Sequence, residues 1–423
     1  MLRESMLYTS IRSCRICGNK NLIEVLNLGT MALTGVFPKP EDSVDAGPLE
    51  LVKCHPKGAG DVCGLLQLRH NYDLTKLYGD NYGYRSSLNK SMVEHLKNRA
   101  QKIKRIVRLR KGDLVVDIGS NDGTLLKSYN DASLRLVGID PTIAKFSEYY
   151  PSHIDQIADF FSAKLLKQLI DKKAMVITSI AMFYDLEKPV NFMKQIKRVL
   201  HDDGIWVFEQ SYMPRMIDNV SYDTICHEHL EYYTLKQMKW MTDRVGFKIV
   251  DIELNDVNGA SFCLTVAKKN SYHKEATEKI TKILKQETDR RLDDLETYQR
   301  FSRNIQQYKK ELTAFIKKAK KEGKTIIGYG ASTKGSVILQ FCKLSKKHIP
   351  YIAEVNEYKF GRLAPGTDIS IISEEEAHKY KPDYLFVLPW HFKQNIIDRE
   401  QAYLKRGGQL LFPLPHIEVV QKK

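Results

Sequence analysis

A chain of 423 residues is too long for one typical hydrophobic core and calls for two or three domains. Its 43% apolar and 28% charged residues exclude a disordered or fibrous protein. No apolar run approaches the roughly 20 residues that cross a bilayer. The opening Met1-Leu-Arg-Glu-Ser-Met6 lacks the apolar segment and cleavage site of a secretory signal, so a cytoplasmic location is expected. The formal net charge of +15 comes largely from scattered lysines, densest at Lys317–Lys324. No arginine–aromatic stripe accompanies them, so the excess reads as a solvated surface and not a nucleic-acid or membrane site. In that compartment the seven cysteines read as metal ligands or free thiols, not disulfides.

Residues 1–72 are rich in Gly, Pro and Cys and poor in periodic runs, which predicts a small domain with little core of its own. Cys14-Arg-Ile-Cys17-Gly is a knuckle turn on which two thiolates converge, and Cys54 and Cys63 offer a second pair. Four thiolates suit a closed, structural zinc site. A helix is expected through Met92, Leu96, Ile103 and Ile106. Strands follow at Leu114–Ile118, Leu136–Ile139, Met175–Ile180 and Ile205–Glu209, alternating with helical stretches at Ser162–Ile170 and Pro189–Leu200. That alternation predicts a doubly wound, mostly parallel α/β sheet. Phe247–Leu254 and Ser261–Lys268 read as a later strand pair closing a domain over 73–270. Apolar residues every three or four positions from Tyr298 to Ile316 predict one or two long amphipathic helices over 271–322, a connector. A second α/β unit over 323–423 has strands at Tyr351–Val355, Tyr384–Leu388 and Gln409–Phe412.

Val115-Val-Asp117-Ile-Gly119-Ser120-Asn121-Asp122-Gly123-Thr runs from a strand through a glycine turn into a helix. The acid-x-Gly-x-x-x-Gly spacing is that of the class I S-adenosylmethionine (SAM) loop. Gly119 lets backbone pass close to a ligand, and Asp117 suits the methionine ammonium. The next strand ends in Asp140, placed for ribose hydroxyls. Asp159-Phe160-Phe161 suits an adenine amine and ring. The loop departs from Gly-x-Gly-x-x-Gly, which disfavours NAD.

Gly328-Tyr-Gly330-Ala-Ser332-Thr-Lys334-Gly335 is a second strand–loop–helix. It is not a P-loop, but a helix start with Ser332 and Lys334 resembles a phosphate cradle, and Glu354 and Asn356 close the following strand, where a ribose is met. A tight turn without a ligand is the plainer alternative. Between the two loops lies Ser221-Tyr222-Asp-Thr-Ile-Cys226-His227-Glu228-His229-Leu. Adjacent residues point apart, so shared metal ligation is disfavoured. Core histidines or general-base chemistry remain, with His229 or His227 as base and Glu228 as its acidic neighbour.

Together these pieces, with Asn258-Gly, Leu388-Pro-Trp390-His391-Phe and Phe412-Pro-Leu-Pro, give a chain that resembles the three-domain, SAM-dependent sugar C-methyltransferases of nucleotide-linked keto-deoxysugars. The resemblance implies a zinc-binding N-terminal domain, a class I methyltransferase core and a C-terminal Rossmann-like domain, with a nucleotide-diphosphate sugar in the cleft between the last two. It implies His229 as base, with Tyr82, or second Tyr84, contacting the sugar. Sugar-nucleotide contacts then fall to Tyr222, Asn258, Gly330, Ser332, Lys334, Trp390 and His391. Departures are Cys226, where antibiotic-sugar members have Tyr, the Ile180-Ala-Met-Phe-Tyr-Asp-Leu segment, and Ala260 in place of a third Gly. The alternatives are a zinc-containing RNA methyltransferase and a non-catalytic SAM- or nucleotide-sugar-binding subunit.

Overall fold

Sheet order follows from which apolar runs can share a face. The computed structural model describes residues 7–58, 60–78 and 84–422, and Tyr82 lies outside them. The central sheet has seven strands in the order Phe247–Asn255, Ser261–Lys268, Leu200–Ser211, Ala174–Ile180, Leu114–Ile118, Arg135–Ile139 and Ile154–Ile157. Of these, Ser261–Lys268 alone runs antiparallel to its neighbours. Helix Lys90–Ile106 starts where Asn89 caps the Ser91 and Met92 amides. It lays Met92, Leu96, Ala100 and Ile103 against Val115, Val176 and Val207 on one face of the sheet. Helix Pro189–Val199 covers the opposite face, packing Phe192, Met193 and Ile196 on Trp206 and Phe208. Both faces are therefore buried, as a parallel sheet requires.

The C-terminal sheet also has seven strands, in the order Leu363–Ala364, Ile369–Ser373, Tyr351–Glu354, Ile326–Tyr329, Tyr384–Val387, Gln409–Phe412 and Glu418–Val420. The inner five are parallel and the two edges antiparallel. The helical stretch expected as a connector divides into Thr277–Asp289 and Leu295–Lys321. The second helix is no free spacer. Its stripe of Tyr298, Phe301, Ile305, Tyr308, Leu312 and Ile316 enters one core with C-terminal strands and with Leu26 and Leu28 near the N-terminus. A one-sided apolar stripe needs such a partner.

The N-terminal section is more regular than its composition suggests. Leu22–Ala32 and Ala46–Cys54 form a long antiparallel pair extended by Leu66–Leu68. Register shifts between Glu24 and Leu26 and between Asn27 and Thr30 break the apolar alternation that would have marked the first strand. Edge strand Ile154–Ile157 was hidden for a related reason, since only its two end residues are buried. The fourth strand of the N-terminal sheet, Glu231–Tyr232, comes from the central segment and pairs antiparallel with Leu66 and Gln67.

The four cysteines of the N-terminal domain meet. Their sulfurs all lie within 4.8 Å of one another, with Cys14–Cys63 at 3.4 Å and Cys17–Cys54 at 3.5 Å. A tetrahedral zinc with Zn–S bonds near 2.3 Å sets its sulfurs about 3.8 Å apart, so the donor set fits. Gly18, at φ +74°, completes the knuckle, its amide donating to Cys14 O at 3.0 Å. Asn19 Nδ2 approaches Cys54 Sγ at 3.4 Å, and Gln237 Nε2 from the central domain donates to Cys63 O at 2.8 Å. Metal analysis of the purified chain should give about one zinc per chain, and Cys17→Ser or a strong chelator should lower the unfolding midpoint. A metal-free chain of unchanged stability would contradict this.

Candidate active site

Strand ends set the first half of the site. A cleft of about 220 Å³ opens at the C-terminal ends of the central parallel strands, where ligands of open α/β sheets bind. Asp117, Gly119, Ser120 and Asn121 line it from the glycine loop, Asp140 from the next strand, and Asp159 and Phe160 from the turn beyond. Gly119 holds φ +75°, and a Cβ there would fall 3.0 Å from Met182 Cγ. Asp140 pins the loop, accepting from Asn121 N at 2.9 Å through one oxygen and from Thr142 N and Oγ1 at 2.7 and 2.6 Å through the other. Asp117 is buried and accepts from Thr178 Oγ1 at 2.6 Å. Burial pushes its carboxyl up to about 7 against that hydrogen bond. Tyr84 also lines the cleft.

Two expected cofactor residues do other work. Asp122 is fully buried, takes Thr124 Oγ1 at 2.5 Å and Ser87 N at 3.0 Å, and so fixes the loop from behind. Gly123 is needed for packing, because a Cβ would fall 2.8 Å from the Tyr150 ring. Neither residue lines the cleft.

The second half of the site is the Cys-His-Glu-His segment, and its two histidines are held as opposite tautomers. His227 is fully buried. Its Nδ1 accepts from Thr34 N at 3.3 Å and faces Thr34 Oγ1 at 3.2 Å, so the proton sits on Nε2, which donates to Gly47 O at 3.3 Å. Both ring nitrogens are spent on the N-terminal domain, which leaves the expected base candidate His227 no lone pair for proton transfer. His229 donates from Nδ1 to Thr224 O at 2.8 Å, leaving the Nε2 lone pair free. Burial draws it down to about 4, so the ring is neutral at neutral pH. Tyr184 packs edge-on against it with centroids 4.4 Å apart.

Tyr184 and its neighbour Asp185, on the turn after strand Ala174–Ile180, join the two halves. Asp185 lines the cofactor cleft, and Tyr78 OH donates to its Oδ2 at 2.9 Å. Oδ1 is buried without a partner, as is Oε2 of Glu228. Burial raises both carboxyls, and the charge of Glu228 raises Asp185 further. The Cys226 thiol is fully buried and likewise pushed up, so it stays protonated. Sequence reading missed Asp185; its position at a strand's C-terminal end was the available signal.

The C-terminal domain closes the site from the other side. Lys334 Nζ donates to Asn258 O at 2.6 Å, and Trp390 Nε1 donates to Asp223 Oδ2 at 2.7 Å. Gly259 packs between Lys334 and Trp390, and a Cβ on it would lie 3.8 Å from His391 Cβ. The turn there is left-handed, with Asn258 at φ +54° and Ala260 at +94°, so Ala260 keeps a glycine conformation without being glycine. Gly330 and Ser332 are each engaged in structural contacts. A Cβ at Gly330 would fall 2.6 Å from Pro389 Cγ, and Ser332 Oγ caps the helix by accepting from Gly335 N at 3.0 Å. Tyr222 is the clearest departure from expectation. It is fully buried, packed on Phe341 at 5.1 Å and Tyr308 at 5.7 Å, with its hydroxyl 3.6 Å from Cys342 Sγ. It is a core residue, because the turn Tyr222–Thr224 directs it inward.

Comparison with known proteins agrees with this layout. Three family models match in succession: "Putative zinc binding domain" over residues 14–78, "Methyltransferase domain" over 92–252 and "C-methyltransferase C-terminal domain" over 256–415. The C-methyltransferase NovU of Streptomyces niveus is 29% identical over 417 residues, spanning 97% of each chain. Among solved structures, the plantazolicin methyltransferase BamL with S-adenosylhomocysteine aligns over 43% of this chain and 87% of its own, at 12% identity and a TM-score of 0.35. LepI with SAM aligns over 43% and 54%, at 13% identity and 0.33. Zinc-binding, methyltransferase and C-terminal C-methyltransferase matches thus follow one another in the expected order, and the chain is a SAM-dependent methyltransferase similar along nearly its whole length to a C-methyltransferase.

Proposed function

We propose that this enzyme methylates a ring carbon, C3, of a nucleotide-linked 4-keto-6-deoxysugar, bound between the central and C-terminal domains. The observation that carries the reading is the free Nε2 of His229, in a ring fixed by Thr224 O through Nδ1 and packed on Tyr184, whose neighbour Asp185 lines the cleft. SAM supplies an electrophilic methyl group, which an unactivated ring carbon does not attack. A neighbouring keto group makes the carbon acidic, and a neutral imidazole with a fixed tautomer takes the proton. Thr224 O holds the Nδ1 proton throughout and orients the ring. Glu228 borders the base, and its raised carboxyl keeps negative charge away from the developing enolate. Asp117 would meet the methionine ammonium, Asp140 the ribose, and Asp159 with Phe160 the adenine. Tyr84, with Tyr82, would contact the sugar.

His229→Asn should bind SAM normally but lose both methyl transfer and solvent-deuterium exchange at the substrate carbon, by about 10²-fold or more. Unchanged exchange would remove His229 from the mechanism. The ionised form of Asp117 prevails above about pH 7. The SAM dissociation constant should therefore be flat at higher pH and rise about tenfold for each unit below it. Asp117→Asn should bind weakly at every pH and abolish the slope. A slope that survives the substitution would assign it to another group.

A further inference from the structure

Lys334 reaches out of the second glycine loop toward the base-bearing segment. Its Nζ donates to Asn258 O at 2.6 Å, and a Cβ added at Gly259 would lie 3.7 Å from that nitrogen. The titratable groups in electrostatic range of it are Asp223, Cys226, His229 and His391. One oxygen of Asp223 is held by Trp390, and the other is buried without a partner. Burial pulls the Lys334 ammonium below its usual range, and the Asp223 carboxyl opposes that and favours the cation. Asp223 also precedes Thr224, whose carbonyl holds the proposed base at 2.8 Å.

The loop that carries it is a poor phosphate cradle. Four of its amides are already committed: Gly330 N to Ala353 O at 2.8 Å, Ala331 N to Glu354 Oε2 at 2.9 Å, Gly335 N to Ser332 Oγ at 3.0 Å and Ser336 N to Ser332 O at 2.9 Å. Its glycines answer to packing, since a Cβ at Gly335 would fall 2.7 Å from Leu388 Cβ and one at Gly330 would strike Pro389. A diphosphate arriving here would meet few free donors and the carboxyl of Asp223. A single negative charge developing on one carbonyl oxygen fits an ammonium far better.

We propose that Lys334 is a catalytic residue that donates a hydrogen bond to the substrate's carbonyl oxygen while His229 deprotonates the adjacent carbon. The inference rests on the keto-sugar reading above. In the step, the carbon–hydrogen bond breaks and the proton goes to His229 Nε2. The released pair forms the carbon–carbon double bond, and the carbonyl π pair moves onto oxygen, where the ammonium stabilises it. A base of low proton affinity makes such help on the oxygen side necessary. The C-terminal domain then contributes to the chemistry and does not merely hold a nucleotide.

The test compares the wild-type chain with K334Q and K334R at saturating keto-sugar. It measures SAM-free deuterium exchange, methyl transfer, and the affinity for uridine, thymidine, guanosine and cytidine diphosphates. Loss of one oxyanion donor predicts a fall of about 10²–10³-fold in both exchange and transfer for K334Q, with nucleoside diphosphate affinity within about threefold of wild type. A raised KM and weakened diphosphate binding with kcat intact would make Lys334 a phosphate contact and overturn the inference alone. So would an unchanged kcat. SAM binding reports folding of each variant. Should K334Q fail that check, K334R decides, because it keeps the charge but moves the donor: kcat must fall while diphosphate affinity holds. A wild-type chain inert in exchange and transfer toward every keto-sugar would overturn the substrate reading and this inference with it.

Discussion

The base-bearing segment 222–232 has almost no regular structure of its own, and the molecule depends on how it is held. Its two-residue strand Glu231–Tyr232 completes the N-terminal sheet, and Leu68 N donates to Leu230 O at 2.8 Å. His227 bonds Thr34 and Gly47 of the same domain. Leu230 N donates to Tyr184 O at 2.8 Å, anchoring the segment to the methyltransferase core. Asp223 accepts from Trp390 of the C-terminal domain. Each of the three domains therefore supplies partners that the segment lacks internally, and His229 is oriented by all of them at once. This gives the zinc a role without chemistry. Gln237 ties Cys63 to the core, and Arg15 within the knuckle donates to Leu68 O at 2.5 Å and His70 O at 3.0 Å. The metal thereby stiffens the sheet that the segment joins.

The two glycine loops follow one plan with different outcomes. In each, an acid ending the next strand pins a loop amide at 2.9 Å: Asp140 to Asn121, and Glu354 to Ala331. In the central domain the loop stays open to a cleft and carries the buried Asp117, whose carboxyl burial raises. In the C-terminal domain Pro389 and Leu388 fill the space beside the glycines, and Lys359 Nζ takes Ala331 O at 2.7 Å. The same strand–loop–helix unit makes a cofactor site in one case and a rigid mount for Lys334 in the other. Neutrality is the common electrostatic theme around His229. Burial lowers both histidines and raises Asp185, Glu228 and Cys226, so each of these groups favours its neutral form.

Much of this was legible in the sequence, for identifiable reasons. Parallel strands buried on both faces appear as continuous apolar runs, and all four expected between Leu114 and Glu209 form. The Cys14–Cys17 knuckle announced its partners because soft ligands converge only when the chain brings them together. What stayed hidden depends on distant pairing. The bulged strand Leu22–Ala32 has no clean period. The strand Glu231–Tyr232 is two residues long and exists only because Leu66–Leu68 offers an edge. The tautomers of His227 and His229 are set by Thr34, Gly47 and Thr224, none of which marks itself in sequence. Tyr222 sits in a motif dense with polar groups yet faces the core, because a short helical turn rotates it away from its neighbours. Asp185 follows a strand's C-terminal end, which was its one signal, but its burial depends on distant packing that no local residue marks.

Where the methyl group ends up tests the account most directly. The chain would be incubated with SAM carrying a ¹³C-labelled methyl group and a panel of nucleotide-linked 4-keto-6-deoxyhexoses, and the product examined by carbon NMR. The account predicts a labelled methyl on the quaternary or tertiary ring carbon next to the carbonyl, at C3. Label on oxygen or nitrogen, or on a carbon not adjacent to a carbonyl, would contradict it.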